Sequence, residues 1–400
     1  MSGKSDKKKP LVPSLRFPEF REAGAWEVKR LAEIGEIVTG TTPSTKKAEY
    51  YEDGIHLWVT PTDIGEEKDI TETKIKLSED GLQAGRFVPR NSLLVTCIAS
   101  IGKNAILRMD GSCNQQINAI TRFQGACVDF LYYLIERNTP ILLNTAGQGG
   151  MAILNKNDFS NLRFPFPALR EQQKIAHCLS SLDEVIGLQA KKVQALKQHK
   201  KGLMQQLLPA EGETTPRLRF PDFREAGAWE VKRLGKLVET ITPPKKLQTT
   251  EYLPSGQFPI IDQSPNDVCG WTDDETAMIN GEFPLVIFGD HTCVVKLVEG
   301  PFAQGADGIK VLSPTSEVDA RFLFLSLQAD PIEQKGYKRH FSTLKEKLIP
   351  FPPKDTDEQQ KIAHCLSSLD EVIGLESHKL DALKNLKKGL MQQLFPQEVA

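Results

Sequence analysis

Residues 171–207 have the sequence EQQKIAHCLSSLDEVIGLQAKKVQALKQHKKGLMQQL, and residues 358–394 repeat its first eighteen residues without a change. In both copies apolar residues recur in alternating steps of four and three, the heptad pattern of helices that pack as coiled coils. A lone helix cannot bury so narrow an apolar stripe. The sequence therefore predicts two long helices, each packed against the other copy.

We call the apolar positions of this pattern the seam. The seam residues are Ile175, Leu179, Leu182, Ile186, Val193, Leu196, Leu203 and Leu207 in the first copy and Ile362, Leu366, Leu369, Ile373, Leu380, Leu383, Leu390 and Leu394 in the second. Polar residues interrupt the seam at matching places, at Gln189 and Glu376 and again at Lys200 and Lys387. Polar seam residues often fix the register of two helices, but side chains that simply reach solvent explain these positions equally well.

A second repeat divides the chain into two modules. Residues 15–31 (LRFPEFREAGAWEVKRL) and residues 218–234 (LRFPDFREAGAWEVKRL) differ at one position, and we call each of them a lead segment. Each lead segment precedes a body of unrelated sequence, at about 33–165 and 235–350, and each body precedes a long helix. The prolines, the aromatic residues and the terminal WEVKRL predict a short extended stretch followed by a turn of helix.

The two bodies have the same order of predicted elements. The first has strands at 91–98, 104–109 and 117–123, a helix at 127–136 and an extended exit at 162–167. The second has strands at 284–288, 293–298 and 309–312, a helix at 318–328 and an extended exit at 348–353. This order predicts one mixed α/β scaffold that carries two different surfaces.

The fold class that we predict is α+β, with two mixed α/β domains separated by two long antiparallel helices in a pseudo-twofold internal repeat. The helices are antiparallel if the second body has neighbouring termini, as domains often do. The predicted boundaries are a disordered basic leader at 1–14, a first domain at 15–170 with a helix at 171–208, and a second domain at 209–357 with a helix at 358–395.

The composition excludes several classes of protein. No apolar run approaches the roughly 18–20 residues that cross a bilayer, so we expect no membrane association. The seven cysteines are scattered without a CxxC pair, which favours reduced thiols in the cytoplasm and argues against a structural zinc site. The net charge of −2 is unusual for a protein that binds nucleic acid alone, so such a role would require local patches or a partner.

Two unlike bodies, each followed by an EQQKIA helix, resemble the specificity subunit of type I restriction–modification systems, and the resemblance covers nearly the whole chain. Residues 31–40, 100–103 and 114–118 are similar to the start and turns of its target-recognition domain. The second body differs at 288–292 and 305–308, which resemble another subgroup of that domain. Base-reading positions therefore cannot be transferred between the halves.

The resemblance implies a subunit that is not an enzyme. Each target-recognition domain would recognise one half of a bipartite, asymmetric site in double-stranded DNA through the major groove. The helices would set the spacing and bind two methyltransferase (modification) subunits, which methylate adenine and on which restriction and motor subunits assemble. The chain itself would hold no cofactor and no metal, because S-adenosylmethionine, ATP and Mg would be bound by the partner subunits.

Amide and basic side chains on turns are the groups that pair with base edges or phosphates. The DNA-binding candidates of the first body are Thr41, Thr42, Ser44, Lys46, Lys103, Asn104, Gln115, Gln116, Gln148, Asn155 and Lys156. Those of the second body are Lys245, Lys246, Gln263, Asp290, His291, Gln304, Lys335, Lys338 and Arg339.

Two alternative functions explain part of the sequence. A self-sufficient restriction enzyme or methyltransferase is suggested by Asp222 and the 230–232 sequence EVK, which fit a PD…ExK nuclease pattern. These residues lie in a lead segment, however, and the chain has no cofactor fingerprint. A coiled-coil tether that binds only proteins explains the helices, but it does not explain two unlike bodies.

Overall fold

The computed structural model describes residues 11–65, 67–147, 152–306, 308–334, 336 and 338–396. Its contacts separate the chain into unit 1, residues 1–189 with 379–400, and unit 2, residues 190–378. Each unit therefore contains one lead segment, one body, the first part of one long helix and the last part of the other.

The described part of unit 1 contains eleven strands and the first six α-helices. The strands are β1 (Glu27–Arg30), β2 (Glu36–Thr39), β3 (His56–Val59), β4 (Asp69–Ile70), β5 (Lys76–Leu77), β6 (Phe87–Val88), β7 (Ser92–Thr96), β8 (Asn104–Leu107), β9 (Gly111–Cys113), β10 (Ile117–Thr121) and β11 (Arg163–Phe166). The helices are α1 (Leu31–Ile34), α2 (Glu79–Ala84), α3 (Val128–Arg137), α4 (Thr139–Thr145), α5 (Lys156–Asn161) and α6 (Leu169–Leu207), of which α6 continues into unit 2.

Unit 2 contains the remaining strands and helices. The strands are β12 (Glu230–Arg233), β13 (Val238–Ile241), β14 (Phe258–Ile261), β15 (Gly270–Thr272), β16 (Met278–Ile279), β17 (Leu285–Gly289), β18 (Val295–Val298), β19 (Phe302–Gln304), β20 (Ile309–Pro314) and β21 (Leu348–Phe351). The helices are α7 (Leu234–Leu237), α8 (Ala320–Ala329), α9 (Phe341–Glu346) and α10 (Glu358–Leu394), of which α10 ends in unit 1.

The two units have matching sheets. The order β2-β10-β7-β8-β4 in unit 1 corresponds to β13-β20-β17-β18 in unit 2, and the order β5-β3-β9-β6 corresponds to β15-β14-β19-β16. The central pair of the second sheet, β3 with β9 or β14 with β19, is parallel in both units. The prediction of one scaffold with two surfaces is confirmed, and β4 has no counterpart among the described residues of unit 2.

The predicted strands and helices of the bodies form within a few residues of the predicted bounds. In each unit the helix after the sheet packs on the central strands, α3 on β7 and β8 and α8 on β17 and β18. Each lead segment ends in a strand that pairs with the extended exit, β1 with β11 and β12 with β21. Among the described residues, no helix is both long enough and apolar enough to cross a bilayer.

The long helices pack antiparallel within each unit. In unit 1 the start of α6, at Ile175 and Leu179, shares a core with Leu394 from the end of α10. In unit 2 the end of α6, at Leu207, shares a core with Ile362 and Leu366 from the start of α10. All sixteen seam residues are buried or half-buried, as burial of one apolar stripe against a second helix requires.

Three polar residues of the seam, Lys387, Lys200 and Glu376, form ion pairs with the facing helix. Lys387 Nζ lies 2.9 Å from Asp183 Oδ1 in unit 1, and Lys200 Nζ lies 2.7 Å from Asp370 Oδ1 in unit 2. Glu376 pairs with Lys192 at 2.5 Å. These contacts favour a role in register over side chains that simply reach solvent.

Each lead segment holds the first residues of a long helix through a buried ion pair. The Arg16 guanidinium donates two bonds of 2.7 Å to the Glu171 carboxylate and also donates to the carbonyls of Ala23 and Gly24. Only 7% of the Arg16 side chain and 2% of the Glu171 side chain are exposed. Unit 2 repeats this arrangement with Arg219 and Glu358, both 2.7 Å contacts included.

The next glutamine joins each long helix to the body. Gln172 Oε1 accepts from the N–H of Cys127, just before α3, while its amide donates to Pro167 O. Gln359 makes the equivalent bonds, accepting from Asp319 N and donating to Pro352 O. The repeated sequence EQ therefore connects lead segment, helix and body in both units.

The sequence predicts a disordered leader at residues 1–14, but residues 11–14 are ordered by contacts with unit 1. Residues 1–10 lie outside the described residues. Leu11 packs against the core of unit 1, and its carbonyl accepts from Trp26 N at 2.8 Å. Ser14 Oγ donates to Gln393 O. Burial of an apolar residue and pairing of the backbone order this segment.

Replacing Arg16 by alanine should destabilise unit 1 by about 3–5 kcal/mol, because it leaves the Glu171 carboxylate buried without its counter-ion. Lys174→Ala is the matched control. Its ion pair with Glu19 has both side chains 47% exposed, so solvent screens the two charges and loss of the pair should destabilise the chain far less. Urea denaturation followed by hydrogen exchange would assign the loss to unit 1. Equal, small effects of the two variants would contradict a structural role for the buried pair.

Candidate nucleic-acid interface

In unit 1 several predicted DNA-binding residues converge at one end of the five-stranded sheet. Strands β2 and β7 end there and β10 begins there, because Thr39 pairs with Asn118 and Thr96 pairs with Ile117. The segment after β2 contains Thr41 and Thr42, and the turn before β10 contains Gln115 and Gln116. We call this end of the sheet the polar end.

Hydrogen bonds fix the backbone at the polar end. Thr42 Oγ1 donates to Gln115 Oε1 at 2.5 Å, and Thr41 N donates to Cys113 O at 2.8 Å. Asn114 Oδ1 accepts from Gln116 N at 3.0 Å. Thr42 and Gln115 are exposed, so the amide of Gln115 is presented to solvent from an ordered turn. Ordered amides are suited to hydrogen bonding with base edges.

The β7–β8 turn lies at the same end and carries Lys103, which is exposed. Thr96 Oγ1 donates to Ser100 O at 2.5 Å across this turn. Gly102 has φ +87°, and a Cβ there would lie 2.7 Å from Thr139 Cγ2, so the turn requires glycine. The next candidates, Asn155 and Lys156, are exposed; Asn155 also caps α5, since its Oδ1 accepts from the N–H of Asp158.

Unit 2 has an equivalent polar end, where β17 ends and β20 begins. The turn after β17 contains His291 and Thr292, and Thr292 Oγ1 donates to Gln263 O at 2.8 Å. His291 N donates to Gln263 Oε1 at 3.4 Å. Gln263 and His291, two of the sequence-predicted residues, therefore lie together here.

A buried lysine that the sequence did not predict supports this end. Lys296 is 6% exposed, and its ammonium donates to the carbonyls of Asp262 at 2.8 Å and Asn266 at 2.5 Å. Burial lowers the pKa of Lys296. These bonds hold the loop that carries Gln263. The sequence feature that could have indicated this role is the single lysine within the otherwise apolar strand Val295–Val298 (VKLV).

Three sequence predictions are wrong because the side chains are buried. Asn104, Asp290 and Gln304 are 7%, 4% and 2% exposed, respectively. Asp290 has a structural role, since its Oδ1 accepts from the N–H groups of His340 and Phe341 at the start of α9. Turn propensity predicted where these residues lie in the chain, but not which way their side chains point.

The remaining candidates lie on exposed loops. Ser44, Lys46, Lys246, Lys338 and Arg339 are exposed. Lys245 is also exposed but forms an ion pair of 2.8 Å with Asp274, and this bond raises the pKa of Lys245 and lowers that of Asp274 to about 2. Gln148 and Lys335 lie outside the described residues.

The nuclease-like residues of the second lead segment form ion pairs within unit 2. Asp222 pairs with Lys361 at the start of α10, and Lys232 pairs with Glu317. Across the part of the chain that the structure describes, no group of three or more His, Cys, Asp or Glu side chains is arranged to hold a metal ion.

Comparison with known proteins identifies the family. Residues 24–198 and 227–385 each match the family model described as the type I restriction modification DNA specificity domain. The chain is 30% identical over 251 residues to the MjaIX specificity subunit of Methanocaldococcus jannaschii, which covers 59% of this chain and 57% of that subunit. It is 24% identical over 429 residues to the MjaVIII specificity subunit of the same organism, covering 95% and 93%.

The fold is also similar to that of a solved structure, the type I restriction-modification S subunit from M. genitalium. The TM-score is 0.64 at 16% identity, covering 97% of this chain and all of that one. At this identity the likeness concerns the fold. Together with the two family-model matches, it leads to one conclusion: the chain belongs to the type I restriction–modification DNA specificity family and contains two copies of its characteristic domain.

Proposed function

We propose that the chain is the DNA sequence-specificity subunit of a type I restriction–modification enzyme. The observation that carries this proposal is the pair of polar ends, which occur at the same place on one scaffold but present different side chains. Two such surfaces are suited to two different half-sites. Phosphate contacts would position each domain, while amides such as those of Gln115 and Gln263 would contact base edges.

In this proposal the chain is not catalytic and holds no cofactor. Methylation and cleavage are carried out by partner subunits that bind S-adenosylmethionine, ATP and Mg. The net charge of −2 fits such an assembly, because partners can supply much of the basic surface that contacts phosphates.

The repeated exposed residues of the long helices support two identical protein partners, which we propose are methyltransferase subunits. Val185 and Leu188 on α6 are 47% and 69% exposed, and their counterparts Val372 and Leu375 on α10 are 41% and 70% exposed. Packing within the chain does not require these residues to be the same. Identical exposed apolar residues on two helices are suited to binding the same protein twice.

Leu188→Asp together with Leu375→Asp should therefore abolish binding of the methyltransferase subunits, because a carboxylate would be buried in an apolar interface. Stability of the chain should change little, since both side chains are solvent-exposed. Gel filtration of the co-expressed complex measures the loss. The control is Leu253→Asp, whose side chain is 42% exposed in the second body; an intact complex from the double variant would refute this docking surface.

Gln115→Ala and Gln263→Ala should relax recognition in opposite halves of the DNA site. Loss of a good base contact costs about 1–3 kcal/mol of discrimination against the wrong base. Methylation-motif sequencing of DNA modified by each variant complex would show degeneracy in one half-site and none in the other. Each variant is the control for the other, and degeneracy in both halves from a single substitution would contradict the two-surface proposal.

We further propose that the helices set the spacing between the half-sites. Half-sites recognised from one face of B-DNA lie about one turn apart, roughly 34 Å, and the 39 residues of α6 span about 58 Å. Deleting one heptad from each long helix removes about 10.5 Å, close to three base-pair rises. The permitted gap should shorten by a few base pairs in methylation-motif sequencing; methylation at the original gap would exclude this role.

A further inference from the structure

In unit 1 strand β4 covers the outer edge of β8 in the five-stranded sheet β2-β10-β7-β8-β4. Strand β4 runs parallel to β8. The edge of β8 donates to β4 and to the residue before it: Ile106 N donates to Lys68 O at 2.7 Å, and Arg108 N, just after β8, donates to Ile70 O at 3.0 Å. Strand β18 is the counterpart of β8 and is the last strand of its sheet. In the described part of unit 2, no strand covers its outer side.

The register identifies the uncovered groups of β18. Ile106 lies opposite Leu93 in β7, and Leu297 lies opposite Val286 in the same position of β17. In two antiparallel strands, hydrogen-bonded residue pairs alternate with pairs that are not hydrogen-bonded to each other. Gly289 and Val294 form a hydrogen-bonded pair, since Gly289 N donates to Val294 O at 2.8 Å. The pair Val286–Leu297 lies three positions further along and is therefore not hydrogen-bonded. The N–H groups of Leu297 and Glu299, the counterparts of Ile106 and Arg108, therefore point outward. No acceptor for either occurs among the described residues.

A groove of about 700 Å³ lies beside this edge, and its lining includes Leu297, Glu299, Arg321, Leu325 and Ser367. It lies between β18, α8 and the start of α10. Free strand N–H groups beside a groove are typical of sites that bind an added strand from another polypeptide.

The equivalent place in unit 1 is filled by the chain itself. Lys68 Nζ lies 2.7 Å from Asp129 Oδ1, 2.8 Å from Ser180 Oγ and 5.7 Å from the centre of the Tyr133 ring. Asp129 corresponds to Arg321, Ser180 to Ser367 and Tyr133 to Leu325, and these three residues of unit 2 line its groove. The segment containing Lys68 therefore shows what kind of structure fits the groove.

The charges beside the two edges are reversed. In unit 1 Asp129 pairs with Arg108 at 2.7 Å. The segment that contains β4 adds two more ion pairs of 2.7 Å, Lys68 with Asp129 and Asp69 with Arg108. Burial acts to raise the pKa of Asp129, but the bonds from Lys68 and Arg108 outweigh it and leave the pKa below its ordinary value.

In unit 2 Arg321 occupies the position of Asp129, and Glu299 occupies the position of Arg108. Arg321 and Glu299 pair at 2.5 Å. Their side chains are 45% and 60% exposed, whereas Arg108 and Asp129 are each 26% exposed. The pair in unit 2 thus has the geometry of the pair in unit 1, but no strand among the described residues covers it.

We propose that the free edge of β18 binds an extended segment of a partner protein, parallel to β18, in which an acidic residue is followed directly by a basic residue. The acid would take the place of Lys68 and pair with Arg321. The basic residue would take the place of Asp69 and pair with Glu299. This order is the reverse of Lys68-Asp69, so the β4 sequence of a second copy has the wrong polarity for the groove.

The test uses two peptides that differ only in this order. AKDITE is the sequence of residues 67–72 with Glu67 replaced by alanine, so that no acidic residue precedes its lysine, and ADKITE exchanges the lysine and the aspartate. Titration of the isotope-labelled full chain should show saturable NMR shifts of the Leu297 and Glu299 amides, with ADKITE binding at least about tenfold more tightly than AKDITE. The Ile106 and Arg108 amides, already covered by β4, are the internal control and should not shift.

The double variant R321E/E299R should invert this preference while keeping the ion pair in the polarity that unit 1 already has. Its thermal unfolding should match that of the unmodified chain. If it fails to fold, R321Q/E299Q serves instead and should bind the two peptides equally.

Three results would overturn the proposal. The first is equal binding of both peptides, or of neither, by the unmodified chain. The second is an unchanged preference in a folded variant. The third is concentration-dependent protection of the Leu297 amide in the chain alone, with dimer formation in the ultracentrifuge, which would assign the edge to a second copy.

Discussion

The buried pairs Arg16–Glu171 and Arg219–Glu358 determine how each unit is assembled. A carboxylate removed from water is stable only if its charge and its lone pairs are satisfied, and here a two-bond guanidinium contact does both. Each lead segment must therefore lie against the first turn of its long helix. From that point the strand of the lead segment pairs with the exit strand that precedes the same helix, so three segments distant in sequence are fixed together.

This arrangement explains how two bodies of unrelated sequence can use the same attachment. The contacts of Gln172 and Gln359 with the body are made to backbone groups, so they do not depend on body side chains. The apolar faces of α3 and α8 supply the remaining attachment, where Trp26 packs on Phe130 and Trp229 on Phe322. Each body supplies an aromatic residue at that position and a helix start in the same place. Its polar end is free to vary.

Local periodicity and internal repeats were enough to predict the long helices, the main strands and the common scaffold. The second sheet was not predicted, because its strands are two to four residues long and its central parallel pair joins His56–Val59 to Gly111–Cys113, far apart in sequence. The polar ends were predicted by residue type and turn position. The burial of Asp290 and the support from Lys296 were not, because both depend on neighbours contributed by distant loops.

The two units differ most at two surfaces whose side chains the shared backbone scaffold does not determine, the polar end and the outer edge of the sheet. At the polar end, changes of side chain leave the strands intact, since the hydrogen bonds of the sheet are made by the backbone. At the sheet edge the difference is larger, because β4 is present in one unit and absent from the described part of the other. The Arg–acid pair beside that edge persists with its charges exchanged. The two edges therefore present opposite charges at corresponding positions, so a strand whose charges fit the edge of unit 1 has the wrong charges for the edge of unit 2.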